Sequence, residues 1–199
     1  MEKKDFRILV ADDDEIARDV ITSLLQREGY SVAAALDGLD AIRILRIEEI
    51  GLVITDLRMP GADGIEVLKY AVRTNPDIAV VILTAYGTLD TTLEAIKEGA
   101  YDYLTKPFKG QEIILVADRA FRLMTLVNEN KELTRHIRDT HRDMEALKKV
   151  AAGGNPEVTT NWLERVARLN AMGVLTGTEV QILKERLIKG DDKGNSPHS

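Results

Sequence analysis

The sequence predicts an α/β protein: a five-stranded, doubly wound parallel sheet with helices on both faces. Three observations carry that prediction. Short apolar runs alternate five times with segments of helical period over about 120 residues, the pattern of repeated βα units. The runs Leu52–Asp56 and Ile78–Leu83 are apolar or β-branched almost throughout, as strands covered on both faces should be. Turn residues such as Gly29, Asn75-Pro76 and Gly99 separate the segments.

Arg7–Ala11 reads as the first strand, and Asp12-Asp13-Asp14 as a polar turn behind it. Ile16, Val20, Ile21, Leu24 and Leu25 then recur at helical spacing, with Gly29 as the residue that ends the helix. Ser31–Ala35 is the second strand and Gly38–Ile50 the second helix. The third strand runs from Leu52 to Asp56 and meets the turn-rich stretch Leu57-Arg-Met-Pro-Gly-Ala-Asp-Gly64. Ile65, Val67, Leu68 and Ala71 mark the third helix, stopped by Asn75-Pro76. Ile78–Leu83 is the fourth strand, Thr88–Glu98 the fourth helix and Ala100–Thr105 the fifth strand. A fifth helix starts near Gly110.

That helix does not stop at domain length, and the extended segment spans 110–152. Leu123, Leu126, Asn130, Leu133, Ile137, Thr140, Met144 and Leu147 follow one another at intervals of three and four. This is a heptad seam with Asn130 at an a position, which favours two parallel strands in register, so a homodimer through helix 123–147 is expected. Asp143 and Lys148 fall at g and the following e, a favourable pairing between parallel helices. The alternative is a single amphipathic helix folded onto its own domain. Ala151–Pro156 breaks the helix, with a linker over 153–158. A small two-helix tail follows over 159–189, one helix capped by Thr159 or Thr160 and anchored by Trp162, the other over Thr178–Ile188. Residues 190–199 are polar and expected to be disordered.

Composition narrows the function classes. The chain is 44% hydrophobic and 30% charged, which suits a folded domain rather than a disordered one. It contains no cysteine, which excludes disulfides, cysteine zinc sites and thiol nucleophiles. No apolar run approaches the roughly 20 residues that span a bilayer, and Met1-Glu-Lys-Lys-Asp5 leads into a strand rather than a signal peptide. The expected location is cytoplasmic. The net charge of −6 is uneven: residues 1–117 carry 13 basic against 21 acidic residues, 118–149 carry 8 against 6, and 150–199 carry 6 against 6. No segment has the basic footprint of a nucleic-acid interface.

The chemistry concentrates at the carboxyl ends of the strands, where open α/β sheets place their ligand crevice. The ends carry Asp12-Asp13, Asp56, Thr84 and Lys106. Taken singly, an Asp after a strand is a cap or turn residue, and a Thr or a Lys-Pro is commonplace. Together they place three carboxylates at one edge, a repulsion that a hard divalent cation such as Mg²⁺ resolves. Lys106 and the Thr84 hydroxyl suit an anion at the same place. Asp56 is then a candidate carboxylate nucleophile, accepting a phosphoryl group as an acyl phosphate.

These residues resemble a known family. Ile8-Leu-Val-Ala-Asp-Asp-Asp14, Ile54-Thr-Asp-Leu-Arg-Met-Pro-Gly-Ala-Asp-Gly64, Leu83-Thr-Ala-Tyr-Gly87 and Tyr103-Leu-Thr-Lys-Pro-Phe108 are similar to the receiver domain of two-component response regulators over residues 5–125. The resemblance implies a flavodoxin-like strand order 2-1-3-4-5 in a receiver domain over 1–125. It implies that Asp56 takes the phosphoryl group from a histidine kinase or phosphotransfer protein. Asp12 and Asp13 would form the Mg²⁺ pocket with Asp56 and the backbone carbonyl of Arg58. Thr84 and Lys106 would contact the phosphoryl group, Tyr103 would be the switch aromatic, and the Lys106–Pro107 bond would be cis. Asp14 matches an acidic position with no direct metal role. Arg58 and Tyr86, two residues beyond Asp56 and Thr84, would stand at the pocket mouth and set the acyl-phosphate lifetime; Tyr86 reads equally well as a surface aromatic on a loop.

Thr84-Ala-Tyr-Gly87 and Gly99-Ala-Tyr-Asp-Tyr103 resemble the subgroup that precedes the ATPase of enhancer-binding activators. No Gly-x-x-x-x-Gly-Lys-Ser/Thr loop is present, so no P-loop ATPase is expected, nor a winged helix. Leu163–Leu169 and Gly173–Thr176 give the tail a weak resemblance to the short C-terminal domain called SHOCT. His136, His141 and His198 lack metal-ligand spacing, and the first two fall outside the seam. The expected function is a phosphorylation-controlled interaction protein with an output partner of unknown identity. It would not be an enzyme beyond its own phosphotransfer and slow self-dephosphorylation. A DNA-binding regulator using the tail helices is the alternative, opposed by the tail's zero net charge and lack of a third helix.

Overall fold

The computed structural model describes residues 1–85, 89–151 and 162–190. The chain divides into two compact units, Met1–Glu129 and Asn130–Ser199. In the first, strands β1 (Arg7–Ala11), β2 (Ser31–Ala35), β3 (Leu52–Asp56), β4 (Ala79–Thr84) and β5 (Asp102–Thr105) alternate with helices α1 (Glu15–Arg27), α2 (Gly38–Ile47), α3 (Gly64–Thr74) and α4 (Leu89–Lys97). Helix α5 (Gly110–Ala151) begins in this unit. The strands form one parallel sheet in the order β2-β1-β3-β4-β5, as the resemblance implied.

The two-residue period of the strands sorts the core onto both faces. Leu9, Val53, Val80 and Ile82 point to one face and are covered by Ala41 and Leu45 of α2, Ile65 and Leu68 of α3 and Ala95 of α4. Ile8, Val10, Ile54, Val81 and Leu83 point to the other, under Ile21 and Leu25 of α1 and Ile113, Val116 and Ala117 of α5. Every residue of β3 and β4 is buried, which is why their sequence shows no alternation of polar and apolar positions.

Helix α2 ends at Ile47 rather than Ile50, because Glu48 is extended and the chain turns toward β3. Ile50 is buried in the core outside the helix. Strand β5 starts at Asp102 rather than Ala100: Gly99 at φ +91° ends α4, and Tyr101 donates to the Val80 carbonyl just before the ladder begins. A short 3₁₀ turn, Lys3–Asp5, precedes β1 and has no signature that the sequence reading used. Beside it, the rings of Phe6, Tyr30 and Phe121 meet edge to face at 5.5–6.1 Å.

In the second unit, Met144 of α5 packs against Val166 and Leu169 of α6 (Trp162–Ala171), with Leu175 and with Val180 and Leu183 of α7 (Gly177–Gly190). Thr176 and Glu179 cap α7 reciprocally: the Thr176 N–H donates to Glu179 Oε2 at 2.8 Å and the Glu179 N–H to Thr176 Oγ1 at 3.3 Å. The linker 153–158, the Thr159 or Thr160 cap and residues 191–199 lie outside the described residues, but Gly190, counted with the disordered end in the sequence, is the last residue of α7. No helix among the described residues is long and apolar enough to cross a membrane.

Candidate functional site

The parallel register brings the polar strand ends to one edge of the sheet. Ala11 pairs with Thr55, Asp56 with Leu83, and Thr84 with Thr105, so Asp12, Asp56, Thr84 and Lys106 leave the sheet side by side. Lys106 joins them. Its Nζ lies 2.7 Å from Asp12 Oδ2 and 2.6 Å from Asp56 Oδ1. Asp12 is fully buried and Asp56 is 8% exposed, so the ammonium holds together two carboxylates that would otherwise repel in a poorly solvated place. Burial pulls the Lys106 amine down, but the hydrogen bonds and charges of Asp12 and Asp56 outweigh it and leave it above the ordinary lysine value.

The remaining oxygens are held by backbone. Asp12 Oδ1 accepts from the Asp14 N–H at 3.0 Å, and Asp56 Oδ2 from the Arg58 N–H at 2.6 Å. Asp14 itself caps α1, accepting from Ile16 and Ala17. The Asp56 turn fits tightly over α3. The Gly64 N–H donates to the Leu57 carbonyl at 3.0 Å, and a Cβ on Gly64 would lie 2.4 Å from the Asp56 carbonyl oxygen. The Lys106 N–H donates to the Thr84 carbonyl at 2.6 Å, fixing the lysine's backbone to the end of β4, and the peptide to Pro107 is cis.

The structure therefore gathers Asp12, Asp56 and Lys106 by direct contact and sets the buried Thr84 one residue beyond the Asp56 pairing. Asp13 and Arg58 are exposed. Tyr103 packs against the α2–α3 side of the core, and its hydroxyl lies 3.3 Å from Thr91 Oγ1 on α4. Tyr86 lies outside the described residues. The sequence reading missed Arg18. Its guanidinium is buried and donates to the Asp12 carbonyl at 2.8 Å, pinning the chain where the strand ends.

The donor set suits a hard cation in kind: Asp12, Asp13 and Asp56 offer carboxylates and Arg58 a carbonyl, all oxygen. Among the described residues, however, no three acidic or imidazole side chains converge into a group that could hold a metal ion. Lys106 supplies positive charge between Asp12 and Asp56.

A profile of the response regulator receiver domain matches residues 8–118, more than half of the chain. The chain belongs to the response regulator receiver family. The receiver is 44% identical over 113 residues to the transcriptional regulatory protein ZraR of Klebsiella oxytoca, covering 57% of this chain and 26% of ZraR. Its fold matches a crystal structure of a response regulator receiver domain protein from Clostridium thermocellum at 35% identity and a TM-score of 0.58, covering 61% of this chain and 98% of that one. It also matches the solution structure of the beryllofluoride-activated NtrC4 receiver domain dimer, at 32% identity and a TM-score of 0.56 over 58% and 96% of the two chains. The chain spans about a quarter to a half of the length of the curated relatives it matches. Response regulators belong to two-component systems and are generally not enzymes.

Proposed function

We propose that this receiver accepts a phosphoryl group on Asp56 from the phosphohistidine of a histidine kinase or phosphotransfer protein. One observation carries the reading: a single ammonium, Lys106, contacts the buried Asp12 and Asp56 carboxylates at 2.7 and 2.6 Å. An Asp56 oxygen attacks phosphorus, the N–P bond breaks, and the imidazole leaves with the electron pair and takes a proton from solvent. Lys106 offers its charge to the transferring oxygens, and Thr84 a hydroxyl. Asp12, Asp13, Asp56 and the Arg58 carbonyl would have to draw together to hold Mg²⁺, which would then neutralise charge on the phosphoryl group.

The switch runs through neighbours of that site. Thr84 drawn toward the new oxygens makes room for Tyr103, whose hydroxyl already meets Thr91 of α4, so the α4–β5 surface changes with phosphorylation. The chain forms a parallel homodimer through the seam of helix 123–147 and presents its tail to a protein partner in the cytoplasm. The DNA-binding reading is disfavoured because residues 150–199 carry 6 basic against 6 acidic side chains.

Intact-mass measurement after incubation with acetyl phosphate and Mg²⁺ tests the first step. The wild-type chain gains one phosphoryl group and Asp56→Asn gains none. Equal labelling of the variant, or no labelling of the wild type, would remove Asp56 as the acceptor.

A further inference from the structure

The seam of α5 is not uniformly open. Leu123, Leu126, Leu133 and Ile137 are 45–62% exposed, a large apolar display for one helix. Further along, the same face is covered. Asp143 is 3% exposed and pairs with Arg168 of α6 at 3.5 Å, and Met144 packs on Val166 and Leu169, themselves 1% and 0% exposed. Thr140 Oγ1 lies 3.9 Å from the sulfur of Met172. In the heptad these are d140, g143 and a144, the three positions that a second parallel helix would need. The tail and a second copy therefore cannot use this turn at once. Asp143 shows the conflict most plainly, since g143 should face a partner's Lys148 across the dimer and is instead committed within its own chain.

We propose that the α6–α7 tail is an intramolecular cap on the coiled coil: docked, it stops the dimer seam near Ile137; released, it lets the seam run on through Met144 and tightens the dimer. The proposal rests on the homodimer read above. Its chemistry is that of an exchange: Val166 and Leu169 lose Met144, and Met144 gains its counterpart on a second copy. Whatever binds the Val166–Leu169 face would promote dimerisation without touching Asp56.

The absence of cysteine makes the test clean. Ile137→Cys and Met144→Cys, made separately in the full chain, each place one thiol at an a position, where parallel helices bring equivalent residues together. Copper phenanthroline oxidation and a non-reducing gel then read the covalent dimer. Ile137→Cys should cross-link whether or not Arg168→Glu is added. Met144→Cys should cross-link poorly alone and efficiently with Arg168→Glu, or with Val166→Asp as an independent way to release the tail. Sedimentation equilibrium of Arg168→Glu without added thiols should show dimer dissociation constants lower by about tenfold. Failure of Ile137→Cys to cross-link would sink the dimer itself. Cross-linking of Ile137→Cys with a Met144→Cys yield indifferent to both tail variants would overturn the cap alone, as would a dimer weakened by Arg168→Glu.

Discussion

Replacing Lys106 by methionine removes a cation that touches both buried carboxylates while keeping the length and much of the packing of the stem. Each contact is short, 2.7 Å to Asp12 and 2.6 Å to Asp56. The gross attraction is several kcal/mol per pair at an effective dielectric constant of about 20. Desolvation cancels most of it. Breaking a buried pair by removing one partner costs about 3–5 kcal/mol. The Lys106 side chain is 23% exposed, so water screens part of the loss, and about 1–3 kcal/mol is expected at neutral pH. Urea unfolding followed by far-ultraviolet circular dichroism reads this, since the single tryptophan, Trp162, sits in α6 and would report on the other unit. If the loss comes from two carboxylates left facing one another, it shrinks by at least half in an Asp12→Asn background. A Lys106→Met chain as stable as wild type, or an equal loss in both backgrounds, would refute the account of Lys106 as the shared counter-charge.

Three further outcomes follow from the same geometry. Gly64→Ala should destabilise the receiver by about 1–3 kcal/mol or more, because its Cβ would stand 2.4 Å from the Asp56 carbonyl oxygen; an unchanged urea midpoint would mean the turn can yield. Asp56→Asn removes one of the two carboxylates that hold the Lys106 amine up while leaving its burial, so the Lys106 titration should move to lower pH by NMR, and an unmoved titration would contradict the shared contact. Tyr30 is pushed well above the ordinary phenol value, by burial first and then by its hydrogen bond to Asp118. A raised value means stability that is whole below the unfolded pKa of about 10 and lost as pH rises beyond it. Tyr30→Phe should therefore flatten the alkaline loss between pH 9 and roughly 11, and a curve parallel to wild type would rule that out.

The fold was legible because each βα unit repeats one hydrophobic grammar. Short, fully apolar runs bounded by turn residues read as strands covered on both faces, and Val53 and Ile54 are indeed buried on opposite faces. Boundaries were less so, since the end of α2 depends on the extended backbone of Glu48, and its neighbours Ile47 and Ile50 look equally helical in sequence. At the site, Asp12, Asp56 and Lys106, at the ends of β1, β3 and β5, could be grouped because a parallel sheet sends all its strand ends out of one edge. Arg18 could not. A lone arginine in an amphipathic helix reads as a solvated residue, and only the fold shows that its target is the Asp12 carbonyl. The same holds for Asp143 and Arg168, partners 25 residues apart with no spacing rule between them.

The charge count at the strand ends supports the proposal that the site acts as a switch rather than a static clamp. Asp12, Asp56 and Lys106 sum to a formal −1, with one ammonium serving two carboxylates. An anion arriving at Asp56 draws on that same ammonium, so Lys106 gives up part of what it offers Asp12. In the proposed acyl phosphate, a mixed anhydride, Asp56 itself is no longer a carboxylate, while the added oxygens carry more negative charge than it did. Lys106 must then redistribute its contacts, and its own N–H is bonded to Thr84 while Tyr103 lies three residues upstream in β5. The residue that feels the new charge first is therefore tied by backbone to the two residues proposed to move. Coupling of that kind needs no long pathway, only two arrangements of one short strand end that differ in which oxygen the ammonium prefers.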